Sequence, residues 1–192
     1  MMNTITRKEE ILSTASRLFR ERGYSAVTMR DLAKEMGIKA ASLYNHINSK
    51  QQILSEIVMP IAQQFVDGID AVKNSDYRAE DQLRQIIEQH VILTVKHPSC
   101  MAAVNNDWMH LEGNLEEYLK MRSYYEAIFK QIIEDGIEDG SLTIIDKEVM
   151  LFSFLSTLRN LYLWILKNTQ RNEDELIFAL SETLLKGVVK CK

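Results

Sequence analysis

At 192 residues the chain has room for a sizeable core in one or two domains, and 46% hydrophobic against 26% charged residues places it with ordinary soluble globular proteins. No uninterrupted apolar run is long enough to cross a bilayer, the start lacks the basic-then-apolar profile of a secretory signal, and Cys100 and Cys191 make neither a disulfide framework nor a metal-binding spacing, all of which fits a reducing cytoplasm. The net charge of −4 is unevenly spread: residues 1–52 carry nine Lys/Arg and five Asp/Glu, a net +4, while residues 53–192 carry fourteen and twenty-two, a net −8. Such asymmetry suits a nucleic-acid-binding module on an acidic body.

With only seven glycines and two prolines, and apolar residues recurring every three or four positions, the composition is that of an all-α protein. Residues 5–22 predict a first helix, with Ile11, Leu12, Ala15, Leu18 and Phe19 on one face and Gly23 as its C-cap. Thr28 with Asp31 forms a capping box, the acid shortened from Glu to Asp, that starts a short second helix bearing Leu32, Ala33 and Met36. Gly37 stops it, because glycine tolerates the left-handed conformation a helix end needs. After the turn Gly-Ile-Lys, residues 40–46 form a third helix rich in small and hydrogen-bonding side chains. Two short helices joined by a glycine turn read as a helix-turn-helix. Leu12, Ala15, Phe19, Val27, Leu32, Ala33, Ile38, Leu43 and Ile47 are the expected core of this small module.

A fourth helix is predicted from Lys50 towards residue 73, with a bend near residues 56–60 because Pro60 removes a hydrogen bond. Lysine in a first turn opposes the helix dipole and makes sense if a phosphate lies opposite. Residues 78–95 follow as an amphipathic helix broken at Pro98; a shorter apolar segment, Met101 to Leu111, comes next; then a long helix over 114–139, ended by Gly140. Residues 147–167 are apolar nearly all round and require burial on more than one side. With a last helix over 173–189, they would pack against a second copy as a four-helix bundle through Phe152, Leu155, Leu176, Ile177, Leu180 and Leu184.

The pattern Ile11-Leu12, Ala15, Leu18-Phe19, Gly23-Tyr24, Thr28, Asp31-Leu32-Ala33, Gly37-Ile38, Leu43-Tyr44, His46, Lys50 and Leu54 resembles the TetR family of transcriptional repressors. The resemblance is dense over residues 7–54; beyond them it rests on helix count and the closing apolar pair. It implies a helix-turn-helix DNA-binding domain over residues 1–50 and a helical ligand-binding and dimerisation domain over 51–192, about nine helices in all. It further implies a homodimeric repressor that binds a palindromic operator and is released by a small hydrophobic ligand.

By the same resemblance, Thr28 caps its helix and touches phosphate, Tyr44 and His46 reach the backbone, and Lys50 contacts phosphate. Lys39, Ala40, Ala41, Ser42 and Asn45 are left to face base edges, with Arg30 beside them. Asn45 departs from the aromatic often found at its position.

For the effector, the resemblance implies a pocket among the helices of residues 78–168. Its candidate residues are Phe65, His90, Trp108, Met109, Met121, Arg122, Tyr125, Phe129, Arg159 and Tyr162. The stretch Trp108, His110-Leu111-Glu112-Gly113 and Tyr124-Tyr125-Glu126 is similar to the subgroup tied to acyl thioesters of coenzyme A, where Arg122 or Arg159 would meet a phosphate. A hydrophobic cation held by aromatics with Glu112, Glu126 or Glu134 is the rival ligand, which would make the chain a drug-responsive regulator of efflux. His90, His97, His110 and Asp107 lack recognised metal spacing, so no metal or other cofactor is expected. Neither a Gly-rich phosphate loop nor a nucleophile elbow nor paired catalytic carboxylates are present, which argues against an enzyme and leaves a non-DNA-binding dimeric adaptor as the remaining alternative.

Overall fold

The computed structural model describes residues 6–168, 170 and 172–186. Among them are nine α-helices: α1 (Arg7–Arg22), α2 (Met29–Glu35), α3 (Ala40–Tyr44), α4 (Lys50–Lys73), α5 (Ala79–Lys96), α6 (Pro98–Asn106), α7 (Leu115–Glu138), α8 (Lys147–Ile165) and α9 (Glu173–Leu185). The expected ends of the last helix at 186–189 fall partly outside the described residues. The chain divides into two compact units, one of residues up to Ile61 with Ser99–Tyr118, the other of Ala62–Pro98 with the residues from Leu119 on.

In the first unit, two capping boxes set the helix starts. Thr6 accepts from the Glu9 N–H while Glu9 accepts from Thr6 N–H at 2.7 Å, and Thr28 and Asp31 repeat the arrangement at the head of α2. Gly23 and Gly37 take φ of 81° and 65°, a region closed to most side chains, so the chain turns where the sequence requires it. The core holds Ala15, Phe19, Val27, Leu32, Ala33, Leu43 and Ile47 as expected. Leu12 and Ile38 are only half-buried; Ile11, Leu18 and Tyr24 fill that space instead. Arg17 reaches Glu35 across α1 and α2 at 2.5 Å, and Lys8 pairs with Glu56 of α4 at 2.7 Å.

The segment expected as one apolar stretch from Met101 to Leu111 is α6 followed by two short 3-10 turns, Trp108–His110 and Glu112–Asn114. Pro98 opens α6 at its first position, where a missing N–H costs nothing. Within the first unit, α6 is fastened to α1 by Arg20 Nη1 donating to Ser99 Oγ at 3.0 Å. Pro60 lies inside α4 and cannot donate to the preceding turn; the division between units falls just past it, after Ile61.

In the second unit, α5 packs against α8 and α9, and Arg84 on α5 reaches Glu182 on α9 at 3.3 Å. Gly68 lets α4 approach α5: a Cβ there would lie 1.6 Å from Gln89 Nε2, which donates to the Gln64 carbonyl. Asp146 caps α8 by accepting from the N–H groups of Glu148 and Val149. Among the described residues, no helix is long and apolar enough to cross a membrane.

Candidate nucleic-acid interface and effector site

The helix-turn-helix is anchored from beneath. Leu43 is fully buried and Ile47 nearly so, which turns the opposite face of α3 outward. Lys39, Ala41, Ser42, Tyr44, Asn45 and His46 are exposed there, Tyr44 at 51%, and Ala40 is half-buried. Arg30 and Thr28 are exposed at the head of α2. Thr28 Oγ1 donates to Asp31 Oδ2 at 2.5 Å and accepts from the Asp31 N–H. The Thr28 hydroxyl and N–H, both donating to the Asp31 carboxylate, hold that carboxyl below its ordinary value, and the two bonds at the hydroxyl fix its direction.

Lys50, expected at phosphate, is half-buried at the head of α4. Its ammonium points into the first unit and donates to the carbonyls of Tyr24 at 2.9 Å and Val27 at 2.8 Å, 4.1 Å from the centre of the Tyr24 ring. The ring is flanked by Phe19 edge-on at 5.1 Å and by His110 stacked at 5.0 Å. Asp107, 7% exposed, accepts the Tyr24 N–H, with its carboxyl raised by burial against the pull of that bond and of the His110 and Lys50 charges.

The ten effector candidates do not form one cluster. Trp108 and Met109 belong to the first unit, where Trp108 stacks on Tyr118 at 5.9 Å and Met109 is 56% exposed. In the second unit, Phe65, His90, Tyr125 and Phe129 build a buried aromatic chain with ring centres 4.5 to 6.2 Å apart. His90 Nε2 meets Tyr125 Oη at 2.9 Å, while its Nδ1 is buried with no hydrogen-bond partner. Burial and the nearby Arg159 push His90 down from 6.5 to about 3, so it is neutral, and burial raises Tyr125. Tyr162 is buried on α8 and Met121 half-buried on α7.

Arg122 and Arg159 do converge. Glu126 accepts from Arg122 Nε at 3.1 Å and from Arg159 Nη2 at 2.5 Å. Burial pushes Glu126 up, but these two partners outweigh it and hold the carboxyl below its ordinary value. Arg159 also lines a cleft of about 360 Å³ between α7 and α8, with Leu151, Phe152, Leu155, Ser156 and Asn160 on the α8 side and Glu148 at the head of that helix. Leu151, Ser156 and Asn160 were not legible as site residues: Leu151 reads as one more core position of an apolar helix, and Ser156 and Asn160 as its solvent face. Among the described residues no three His, Cys, Asp or Glu come together as a metal site.

Comparison with known proteins decides the family. Residues 11–57 match the model of bacterial regulatory proteins of the tetR family, and residues 76–188 match the tetracyclin repressor-like C-terminal domain. The chain belongs to the TetR family of transcriptional regulators. Relatives named HTH-type transcriptional repressor KstR2 are 42% identical in Mycolicibacterium smegmatis, over 71% of this chain and 67% of that one, and 29% identical in Rhodococcus jostii, over 78% and 74%. The fold matches the ketosteroid transcriptional regulator KstR2 of Mycobacterium tuberculosis with a TM-score of 0.89 at 19% identity, covering 100% of this chain and 98% of that one. It also matches AibR in complex with isovaleryl coenzyme A and operator DNA, with a TM-score of 0.76 at 21% identity, covering 94% and 98%. The TetR family is one of regulators and not a class of enzymes.

Of the TetR-type dimerisation residues expected here, the structure leaves some free and others engaged. Phe152 is 71% exposed, and Ile177, Leu180 and Leu184 are half-buried. Leu155 and Leu176 are already only 6% exposed within the single chain, so they belong to its own core. Phe178, 67% exposed on α9, and Val149, 56% exposed on α8, extend the free apolar face and lay outside the expected set.

Proposed function

We propose that this TetR-family regulator is a homodimeric repressor that binds palindromic operator DNA through residues 28–46 and is released by an acyl thioester of coenzyme A. In this reading residues 1–50 read DNA, and residues 51–192 hold the effector and the dimer contact. The observation that carries it is the outward face of α3, where hydrogen-bonding and small side chains stand exposed over a core sealed by Leu43 and Ile47. Hydroxyls and imidazole of Thr28, Tyr44 and His46 suit phosphate oxygens, and Lys39, Ala40, Ala41, Ser42 and Asn45 suit base edges. Two copies would have to present α3 about 34 Å apart to enter successive major grooves, so a small change in spacing costs affinity.

The apolar face of α8 and α9 supports the dimer: Val149, Phe152 and Phe178 stand in water in one chain, which a second copy would cover. The cleft beside Arg159 supports an anionic, partly apolar effector, since it pairs an arginine with Leu151, Phe152 and Leu155. Relatives point the same way, because AibR is found with isovaleryl coenzyme A. A hydrophobic cation fits less well: Glu126 is already neutralised by two arginines, and Glu134 is paired with Lys147.

The test is a thermal-shift series with acyl-CoAs of increasing chain length against hydrophobic cations, followed by DNA release with the best ligand. Ligand at a hundred times its dissociation constant adds about 2.7 kcal/mol to stability, a visible rise in melting temperature. A chain-length-dependent rise, lost in Arg159→Ala, is the expected result. A rise with cations and none with acyl-CoAs would reject the thioester assignment.

A further inference from the structure

The bridge from Glu126 to Arg159 runs from α7 to α8, and two further ion pairs join the same helices, Lys130 with Glu148 and Glu134 with Lys147. Glu126, Lys130 and Glu134 follow one another at four-residue steps, on one face of α7. Their partners on α8 are spaced otherwise. The first two bridges are one turn apart on α7, but from Glu148 to Arg159 is eleven residues, about 16 Å of helix. The bridges therefore splay, and the face of α8 left between them is the cleft of about 360 Å³, lined by Leu151, Phe152 and Leu155. Among the described residues that line it, Glu126 alone comes from α7, so the carboxylate that engages Arg159 also bounds the cleft on its other side.

A single oxygen of that carboxylate, Oε1, accepts from both Arg122 Nε at 3.1 Å and Arg159 Nη2 at 2.5 Å. A phosphate is the stronger partner for such a pair. It brings close to two negative charges where a carboxylate brings one, and three acceptor oxygens that suit the planar fork of a guanidinium. Arginine can pass from one anion to the other without being left buried and unpaired, which is the costly alternative.

We infer that Glu126 is a resident counter-ion, holding Arg122 and Arg159 while the effector is absent, and that a phosphate of the effector takes its place on Arg159. Binding then exchanges a bridge between α7 and α8 for one between the effector and α8. This rests on the reading of the effector as an acyl thioester of coenzyme A beside Arg159.

A resident counter-ion and a carboxylate that merely aims the arginines leave opposite marks. The first competes with phosphate, so its removal tightens binding. The second prepares the site, so its removal weakens binding. A diffuse negative field is a third case, in which any acid along α7 would do the same.

The experiment titrates the full chain with acyl-CoAs from butanoyl to palmitoyl and with the S-acyl pantetheines of the same chains, which keep the thioester but carry no phosphate. Glu126→Gln, close in shape and uncharged, should bind acyl-CoA about tenfold more tightly than wild type, the scale of one charge-assisted hydrogen bond that no longer has to be broken. It should bind the acyl pantetheines as wild type does. Glu126→Asp, too short to span both arginines, should tighten acyl-CoA by a smaller factor and covers the case in which Glu126→Gln does not fold. Glu134→Gln removes the same charge two turns along α7, outside the cleft, and should change acyl-CoA affinity by less than about twofold. Weaker or unchanged acyl-CoA binding in Glu126→Gln would overturn the inference. So would an equal gain for the acyl pantetheines, or the same gain in Glu134→Gln. Wild type and Glu126→Gln that both ignore every acyl-CoA reject the thioester reading itself and the inference with it, a result distinct from a wild type that binds and a variant that gains nothing.

Discussion

Phe19 and Phe152 carry the same side chain into opposite circumstances. Phe19 is 1% exposed in the first unit, wedged edge-on against Tyr24, while Phe152 is 71% exposed on α8 in the second. Around Phe19 every large apolar residue of α1 that faces inward finds a partner within its own chain. Along α8 and α9 the apolar residues outnumber the places available, and Val149, Phe152, Leu163 and Phe178 are left exposed. A core that closes within one chain and a face that does not make different demands: the first is met by the chain itself, the second is the face that the proposed second copy would cover.

The sharpest way to test that contrast is to truncate both rings. Phe19→Ala should cost about 3–5 kcal/mol, as expected for a fully buried aromatic, and should abolish DNA binding with it. Phe152→Ala should change the stability of dilute, single-chain protein by less than about 0.5 kcal/mol, as surface changes do, while weakening self-association measured by sedimentation. Urea midpoints and sedimentation on the two variants decide the matter. A large stability loss with Phe152→Ala in dilute protein would place that ring in the chain's own core and remove the argument for a partner.

A second break comes from the interior of the second unit, where closure is incomplete in another sense. His90 is packed between Phe65 and Tyr125 with one nitrogen unpartnered, and is held at about 3 instead of 6.5. Between those values the unfolded chain takes up a proton that the folded chain refuses, so stability rises with pH and is lost as pH falls below 6.5. The slope approaches 1.4 kcal/mol per unit, and going from pH 7 to pH 5 should remove about 2 kcal/mol. Carboxylates such as Glu126, held below their ordinary value, lose their contribution only at lower pH. His90→Gln should therefore flatten the stability profile between pH 7 and 5 while leaving the arm below it. An unchanged acid loss in that variant would mean that another group titrates there.

What was legible in the sequence follows the same line. The capping box of Thr28 and Asp31, the turns at Gly23 and Gly37 and the buried run of Phe19, Val27, Leu32 and Leu43 depend on neighbours a few residues away, so local chemistry was enough to place them. The excess of apolar residues on α8 was readable. Which of them stay exposed was not: Leu155 and Leu176 turn inward and Phe178 outward because of how α5 packs on α8 and α9, a long-range fact. The surroundings of Lys50 were hidden for a related reason. Spacing located it at the head of α4, but only the folded turn reveals that carbonyls 23 and 26 residues earlier take its charge. The cleft beside Arg159 combines α7 with α8 through residues that no periodicity singles out.

The smallest expected effect compares like with like inside the first unit. Thr6 and Thr28 head α1 and α2 with the same reciprocal bonds, Thr6 to Glu9 and Thr28 to Asp31. Each hydroxyl satisfies one N–H that the helix cannot, so Thr6→Ala and Thr28→Ala should each cost about 1 kcal/mol of stability. Their effects on DNA should part company. Thr28 stands exposed beside Arg30 next to the recognition surface, and its loss should weaken operator binding beyond what the stability change explains, while Thr6→Ala should leave binding by the folded protein unchanged. Serine at position 28 keeps both the cap and the hydroxyl and should restore each. Equal DNA affinities for the two alanine variants, measured well below their melting temperatures, would reduce Thr28 to a helix cap and leave the exposed face of α3 as the whole of the recognition surface.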